Sequence, residues 1–190
     1  MAKVTIFGQG NMGQAIGDVF KQGGNQVTYL GHHDAVTDLG EIVVLAVPYP
    51  AAISIAKANQ AALAGKIVVD ITNPLNFDTW DELVVPADSS AAAQIAQLLP
   101  NTKVVKAFNT TFAATLQSRK VGDNQTTVMA ASDAEDAKVT LADALTDSGV
   151  AFVDAGSLKR AREMESLGFL QMTLAAKEKI GWTGGFALIK

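Results

Sequence analysis

The chain has 190 residues, of which 48% are hydrophobic and 18% charged, with sixteen glycines and five prolines. That is enough apolar material for one packed domain, and it excludes disorder and fibrous repeats. The lack of cysteine excludes a disulfide scaffold, a thiolate metal site and a thiol nucleophile. A net charge of −4 gives no general attraction to nucleic acid or anionic lipid.

The opening MAKVTIFGQG carries no secretory h-region, because Gly8 and Gln9 cut its apolar run short. The most apolar segment, Ile42–Ala56, is interrupted by Pro48, Pro50 and Ser54 and falls below the roughly 18 apolar residues of a membrane span. A cytoplasmic protein with no membrane partner is expected.

Short Val/Ile runs at Val4–Phe7, Val27–Leu30, Ile42–Val47, Ile67–Ile71 and Val104–Phe108 read as strands buried on both faces. Val128–Ala131 and Val150–Val153 look like two more. Helices are expected at Met12–Lys21, Ala51–Leu63, Ser89–Leu98, Ala134–Thr146 and Leu158–Lys179. Ser132 or Asp133 would cap the fourth and Ser157 the fifth. Alternation of strand and helix indicates an α/β, doubly wound, mostly parallel sheet with helices on both faces. Residues 1–155 would form the dinucleotide-binding part, and residues 156–190 a helical extension packed on it. Between Gly31 and Glu41 there is no room for a crossover helix and another strand. The sheet should therefore be shortened there, with the second strand at its edge.

Gly8-Gln9-Gly10-Asn11-Met12-Gly13 is a GxGxxG set between a strand and a helix, the context that makes this motif a dinucleotide site. Amides at the start of the helix would face a pyrophosphate. An acid that would hold the ribose 2′-hydroxyl of NAD is expected at the end of the second strand. Here Gly31-His32-His33 stands instead, with no acid before Asp34. Two imidazoles and a glycine amide could receive a 2′-phosphate, so the residues favour NADP over NAD.

Ala46-Val47-Pro48 and Asn73-Pro74 follow the third and fourth strands, on the edge where open α/β sheets take their ligands. Asn109 and Thr110, after the fifth strand, should face the nicotinamide end of the cleft. Lys106, within that strand, is a candidate acid or a side chain that snorkels out of the sheet. No catalytic histidine, Tyr-x-x-x-Lys pair or metal-ligand cluster is found. An enzyme of this composition must work by positioning, as in hydride transfer between two redox rings.

GQGNMG, LAVPYPA at Leu45–Ala51, ITNPL at Ile71–Leu75, KAFNT at Lys106–Thr110 and DAGSLKRAREME at Asp154–Glu165 occur in this order. Together they resemble the NADPH-dependent reductases of the deazaflavin coenzyme F-420, with the related NADP-binding domains of metalloreductases. The resemblance implies a Rossmann-like domain binding NADP(H), usually a homodimer, that passes hydride to a small flat acceptor. It carries the phosphate-binding role to Gly8, Gly10 and Gly13, cofactor backbone contacts to Ala46, Val47 and Pro48, and a pocket amide to Asn109. The family normally has a Ser-Arg or similar basic pair where this chain has Gly31-His32-His33. A non-catalytic NADP-sensing module and a small imine or carbonyl reductase using Lys106 or Asn109 are the alternatives.

Overall fold

In the computed structural model, which describes residues 1–189, seven strands form one sheet. Strands β1 (Lys3–Phe7), β2 (Gln26–Leu30), β3 (Ile42–Leu45), β4 (Ile67–Asp70) and β5 (Lys103–Ala107) run parallel in the order β2-β1-β3-β4-β5. The chain passes from β2 to β3 without a helix, leaving β2 at the edge. A small two-stranded sheet pairs β6 (Lys120–Val121) with β7 (Asn124–Gln125). The main sheet is completed by β8 (Thr127–Ala131) and β9 (Ala151–Gly156), which are parallel to each other.

β8 pairs antiparallel with β5, among the described residues the one antiparallel pair in the otherwise parallel main sheet. The cause is the connection. Its only helix, α5 (Ala113–Ser118), has six residues, about 9 Å of rise, and cannot carry the chain back along a strand about 16 Å long. So short a helix shows too few turns to announce itself by periodicity.

Helices cover both faces. On one, α1 (Asn11–Gln22), α5 and α6 (Glu135–Ala144) pack Ile16, Phe20, Leu116 and Leu141 over Ile6, Val44, Val69 and Val105. On the other, α2 (Tyr49–Ala58), the short α3 (Gln60–Leu63) and α4 (Ala91–Leu98) cover Phe7, Val43, Val68 and Val104. Strict alternation along each strand thus fills two cores. The expected helix 51–63 breaks in two at Asn59, whose side-chain amide donates to the carbonyl of Ile55 (2.9 Å) in competition with the helix backbone.

The C-terminal helix α7 (Ala161–Ala176) follows a 3-10 turn at Leu158–Arg160. Its start is held differently from the sequence expectation. Ser157 occupies the capping position without a side-chain bond, and Asp133 accepts from the Leu158 amide (3.0 Å). Ser132 bonds the Ala134 amide (3.1 Å) and the Val104 carbonyl (2.6 Å), tying the start of α6 to β5. Among the described residues no helix is long and apolar enough to cross a membrane.

Candidate functional site

The turn after β1 is built on backbone proximity. Gly8 has φ +108°, and a Cβ there would lie 2.2 Å from the Ala46 carbonyl oxygen. A Cβ on Gly13 would lie 2.3 Å from the carbonyl oxygen of Gly8. Both glycines therefore allow β1, α1 and the end of β3 to touch. Gly10 is different: its φ is an ordinary −74°, and nothing lies within 4 Å of where its Cβ would be. A side chain there would meet no protein atom and would occupy the space in front of α1. The first amide bonded back in the helix is that of Gln14, to Gly10 (3.0 Å). The amides of Asn11, Met12 and Gly13 stand at the helix mouth, where no side chain caps them. An uncapped helix start behind an open glycine fits a pyrophosphate.

At the end of β2 the Gly31 amide donates to Asp34 Oδ2 (2.6 Å), and the Gln9 side-chain amide lies beside them. His32 and His33 are exposed, their ring centroids 5.0 Å apart. The donors read from the sequence are together. One of them, the Gly31 amide, is held by the carboxylate that follows.

Between these strand ends and α7 lies a cavity of about 650 Å³, within the range of small-molecule pockets. Asn11 and Met12 join it to the glycine turn, and Ala46–Tyr49, Ile71–Asn73 and Asn109 form its floor and side. Phe77, Phe112, Met172 and Trp182 add an apolar wall, with Phe112 and Trp182 rings 5.0 Å apart. No side chain lining it carries a formal charge at neutral pH.

Two asparagines anchor the inner end. Asn109 Nδ2 donates to Asn73 Oδ1 (2.8 Å) and to the Met164 carbonyl of α7 (2.9 Å), while Asn73 Nδ2 donates to the Asn109 carbonyl (2.8 Å). Asn109 Oδ1 is buried with no partner. Gly168 of α7 sits against this pair, and a Cβ on it would lie 2.4 Å from Asn73 Oδ1. Phe108, fully buried, adopts φ +62° and turns the chain out of β5. Beyond that turn alternate residues reach the cavity. Asn109 lines the cavity, Thr110 is buried outside its lining, and Thr111 lines it. Pro74 also lies outside the lining, its carbonyl accepting from the Val84 amide (2.7 Å).

Lys106 neither lines the cavity nor snorkels; it is fully buried beneath the floor. Parallel register sets it opposite Asp70, and its Nζ lies 2.8 Å from Asp70 Oδ2 and 2.8 Å from Glu165 Oε1. It also donates to the Thr72 carbonyl. Glu165 accepts from the amides of Ala91 (2.8 Å) and Ala92 (3.2 Å) at the start of α4. Burial pushes the Glu165 carboxyl above its ordinary 4.5, although the Lys106 ammonium pulls it down. Tyr49, whose hydroxyl donates to Gln94 Oε1 (2.6 Å), is also raised, first by burial and then by the Glu165 and Asp70 carboxylates. It presents a neutral phenol to the cavity wall.

Residues 20–74 match the family model described as NADP oxidoreductase coenzyme F420-dependent. The sequence is 31% identical over 172 residues to the F420-dependent NADP reductase of Methanocaldococcus jannaschii, covering 88% of this chain and 77% of that protein. The chain belongs to the F420-dependent NADP reductase family. Membership places it among the NADP-dependent oxidoreductases. The metalloreductase STEAP3 of Rattus norvegicus is 36% identical over 105 residues, 55% of this chain and 20% of that protein. A solved structure from an Arthrobacter species, assigned as an F420-dependent NADP reductase, superposes with a TM-score of 0.85 over the whole of both chains. At 23% identity this is a likeness of fold.

Several cavity residues of this family member lie outside the motifs used to read the site. Phe77, Phe112, Met172 and Trp182 arrive from four separate segments, and only the small, aromatic composition of the tail near Trp182 hints at a covering role. Tyr49 lies inside LAVPYPA, in the first turn of α2, where its position after Pro48 could have pointed to it.

Proposed function

We propose that the chain passes hydride from NADPH to a flat redox ring, with its own residues acting by orientation and without a dedicated acid or base. The carrying observation is the continuity of the uncapped α1 start with the uncharged cavity through Asn11 and Met12. NADPH, when bound, supplies two electrons and one hydrogen as hydride; the single proton that completes the reduced acceptor comes from water.

In this reading the amides of Asn11, Met12 and Gly13 hold the pyrophosphate, with Gly8 and Gly13 keeping the turn closed and Gly10 and Gln9 bordering it. Gly31, His32 and His33 receive the 2′-phosphate, and Ala46, Val47 and Pro48 pass along the nicotinamide half. Asn73 and Asn109 orient a carboxamide at the inner end, supported from beneath by the Asp70–Lys106–Glu165 cluster. The apolar wall from Phe77 to Trp182 excludes water from one side of the acceptor and presents ring faces to it. Such a site lowers the barrier by holding two partners in a near-attack arrangement.

Space for an acceptor supports catalysis over cofactor sensing: Trp182 of the tail stands in the cavity wall, yet about 650 Å³ stays open, and Phe186 is not among the residues that line it. The test is NADPH oxidation with a panel of deazaflavins, flavins and quinones, run beside calorimetry. Binding of NADPH without turnover on any member removes the reading. A homodimer stays part of the proposal, and sedimentation as a single 19.8 kDa chain would remove that part.

A further inference from the structure

Among the described residues the cavity lining carries no formal charge, yet three charged side chains are buried behind its floor. Thr72 joins the two: it lines the cavity, its amide donates to Asp70 Oδ1 (2.9 Å) and its carbonyl accepts from Lys106. Asp70 Oδ2 and Glu165 Oε1 each lie 2.8 Å from Lys106 Nζ. Glu165 Oε2 accepts from the Ala91 amide (2.8 Å), and Oε1 also from that of Ala92 (3.2 Å). All four carboxylate oxygens therefore meet N–H donors, the pattern of two ionised carboxylates. The three Lys106 protons go to Asp70, Glu165 and the Thr72 carbonyl, which leaves none for a bound molecule. Two carboxylates against one ammonium leave an excess negative charge, which the start of α4 offsets in part. Its field reaches the cavity wall, because the Glu165 and Asp70 carboxylates follow burial among the causes that raise the Tyr49 phenol.

We infer that the Asp70–Lys106–Glu165 cluster is a fixed negative charge that favours the oxidised, cationic nicotinamide over the reduced, neutral one and so assists hydride departure. This deepens the proposed hydride transfer and rests on it. In that step a ring C–H bond of the reduced nicotinamide breaks, and both its electrons pass with the hydrogen into a new bond on the acceptor ring, which water then protonates. One positive charge is left on the nicotinamide. Carboxylates already in place meet that charge without reorganisation at the moment of transfer. The cluster acts through the floor and touches no reacting atom; Lys106 keeps two neighbouring carboxylates ionised rather than giving up a proton.

NADP⁺ and NADPH carry the same phosphates and riboses and differ in the charge of one ring, so the ratio of their dissociation constants reads the cluster's charge apart from its role in folding. Calorimetry is run at about pH 8, above the ordinary carboxyl range, on the unaltered protein and on the near-isosteric variants Glu165→Gln and Asp70→Asn. Each variant should weaken NADP⁺ by about fivefold relative to NADPH, the scale of one partly compensated buried charge. The rate of NADPH oxidation at saturation should fall with it. Either variant that keeps a cooperative urea transition decides the matter. A ratio within about twofold of the unaltered protein's, including equal weakening of both nucleotides, assigns the cluster to the fold alone and overturns the inference, while the hydride-transfer reading stands. If the unaltered protein binds neither nucleotide, both fall together.

Discussion

The two ends of this site are made in different ways. In the proposed reading the phosphate end comes from one continuous stretch, Phe7 to Gly13, with backbone amides as its working groups. The ring end is assembled from residues 46–49, 71–73, 77, 109, 111–114, 117, 172 and 182, and in the proposed reading its working groups are side chains held from behind. A site made of amides depends on what is missing, the side chains of three glycines. A site made of side chains depends on its supports, and here the deepest support is an ion cluster with two carboxylates and one cation. Damage should therefore stay local at the first end and spread at the second.

The strongest way to separate the ends is Lys106→Met, which leaves Asp70 and Glu165 buried without their cation. A loss of about 3–5 kcal/mol is expected, read from urea unfolding. The cavity floor should loosen with it, because Thr72, α4 and α7 all meet at this cluster. If stability is unchanged, the cluster is not the support described.

Gly8→Ala strikes the other end. The left-handed backbone and the overlap with Ala46 should together cost on the order of 3 kcal/mol. NADP binding should fall by about a hundredfold or more, with calorimetry as the check. Retained affinity would show that the turn is not the phosphate cradle.

A finer cut is Gly168→Ala, which forces α7 away from Asn73 and costs about 1–3 kcal/mol of packing. Here KM for the acceptor should rise, while the NADP dissociation constant rises far less than in Gly8→Ala because only the carboxamide contact is disturbed. Equal damage to both would mean that the two ends are not separable.

The adenosine side gives a smaller effect. Replacing His32 and His33 with Ala should weaken NADP about tenfold relative to NAD, whereas Asp34→Asn should shift the same ratio toward NADP by removing the carboxylate at Gly31. An unchanged ratio in both variants would move the 2′-phosphate elsewhere.

The mildest effect is a pH slope. Glu165 has a folded pKa raised above 4.5. Its contribution to stability is therefore complete below 4.5 and is lost as pH rises through the raised value. Glu165→Gln leaves Lys106 and Asp70 as a neutral pair, and its urea midpoint should lack that decline. A parallel decline in the variant would assign the slope to other groups.

The legibility of the molecule follows the same division. The seven strands of the main sheet and the shortened connection after β2 could be read because a buried strand is a short run of apolar residues, and the eleven residues from Gly31 to Glu41 cannot form helix and strand together. The glycine turn could be read because its geometry depends on neighbours in sequence. Asn109 and Thr110 are both expected at the cleft because they follow β5; beyond the left-handed Phe108 successive residues alternate, so Asn109 and Thr111 line the cavity and Thr110 turns away from it. Lys106 is apolar-strand context with one charge in it, and nothing local reveals which carboxylates will surround it.

By itself the sequence determined the α/β class, the edge position of β2 and the open start of α1, because each depends on contacts a few residues apart. The tertiary structure alone decided the antiparallel turn of β8, the burial of Lys106 between Asp70 and Glu165, and the aromatic, uncharged cavity. Those features join residues from distant parts of the chain, and only the packing of α4 and α7 on the sheet brings them within reach of one another.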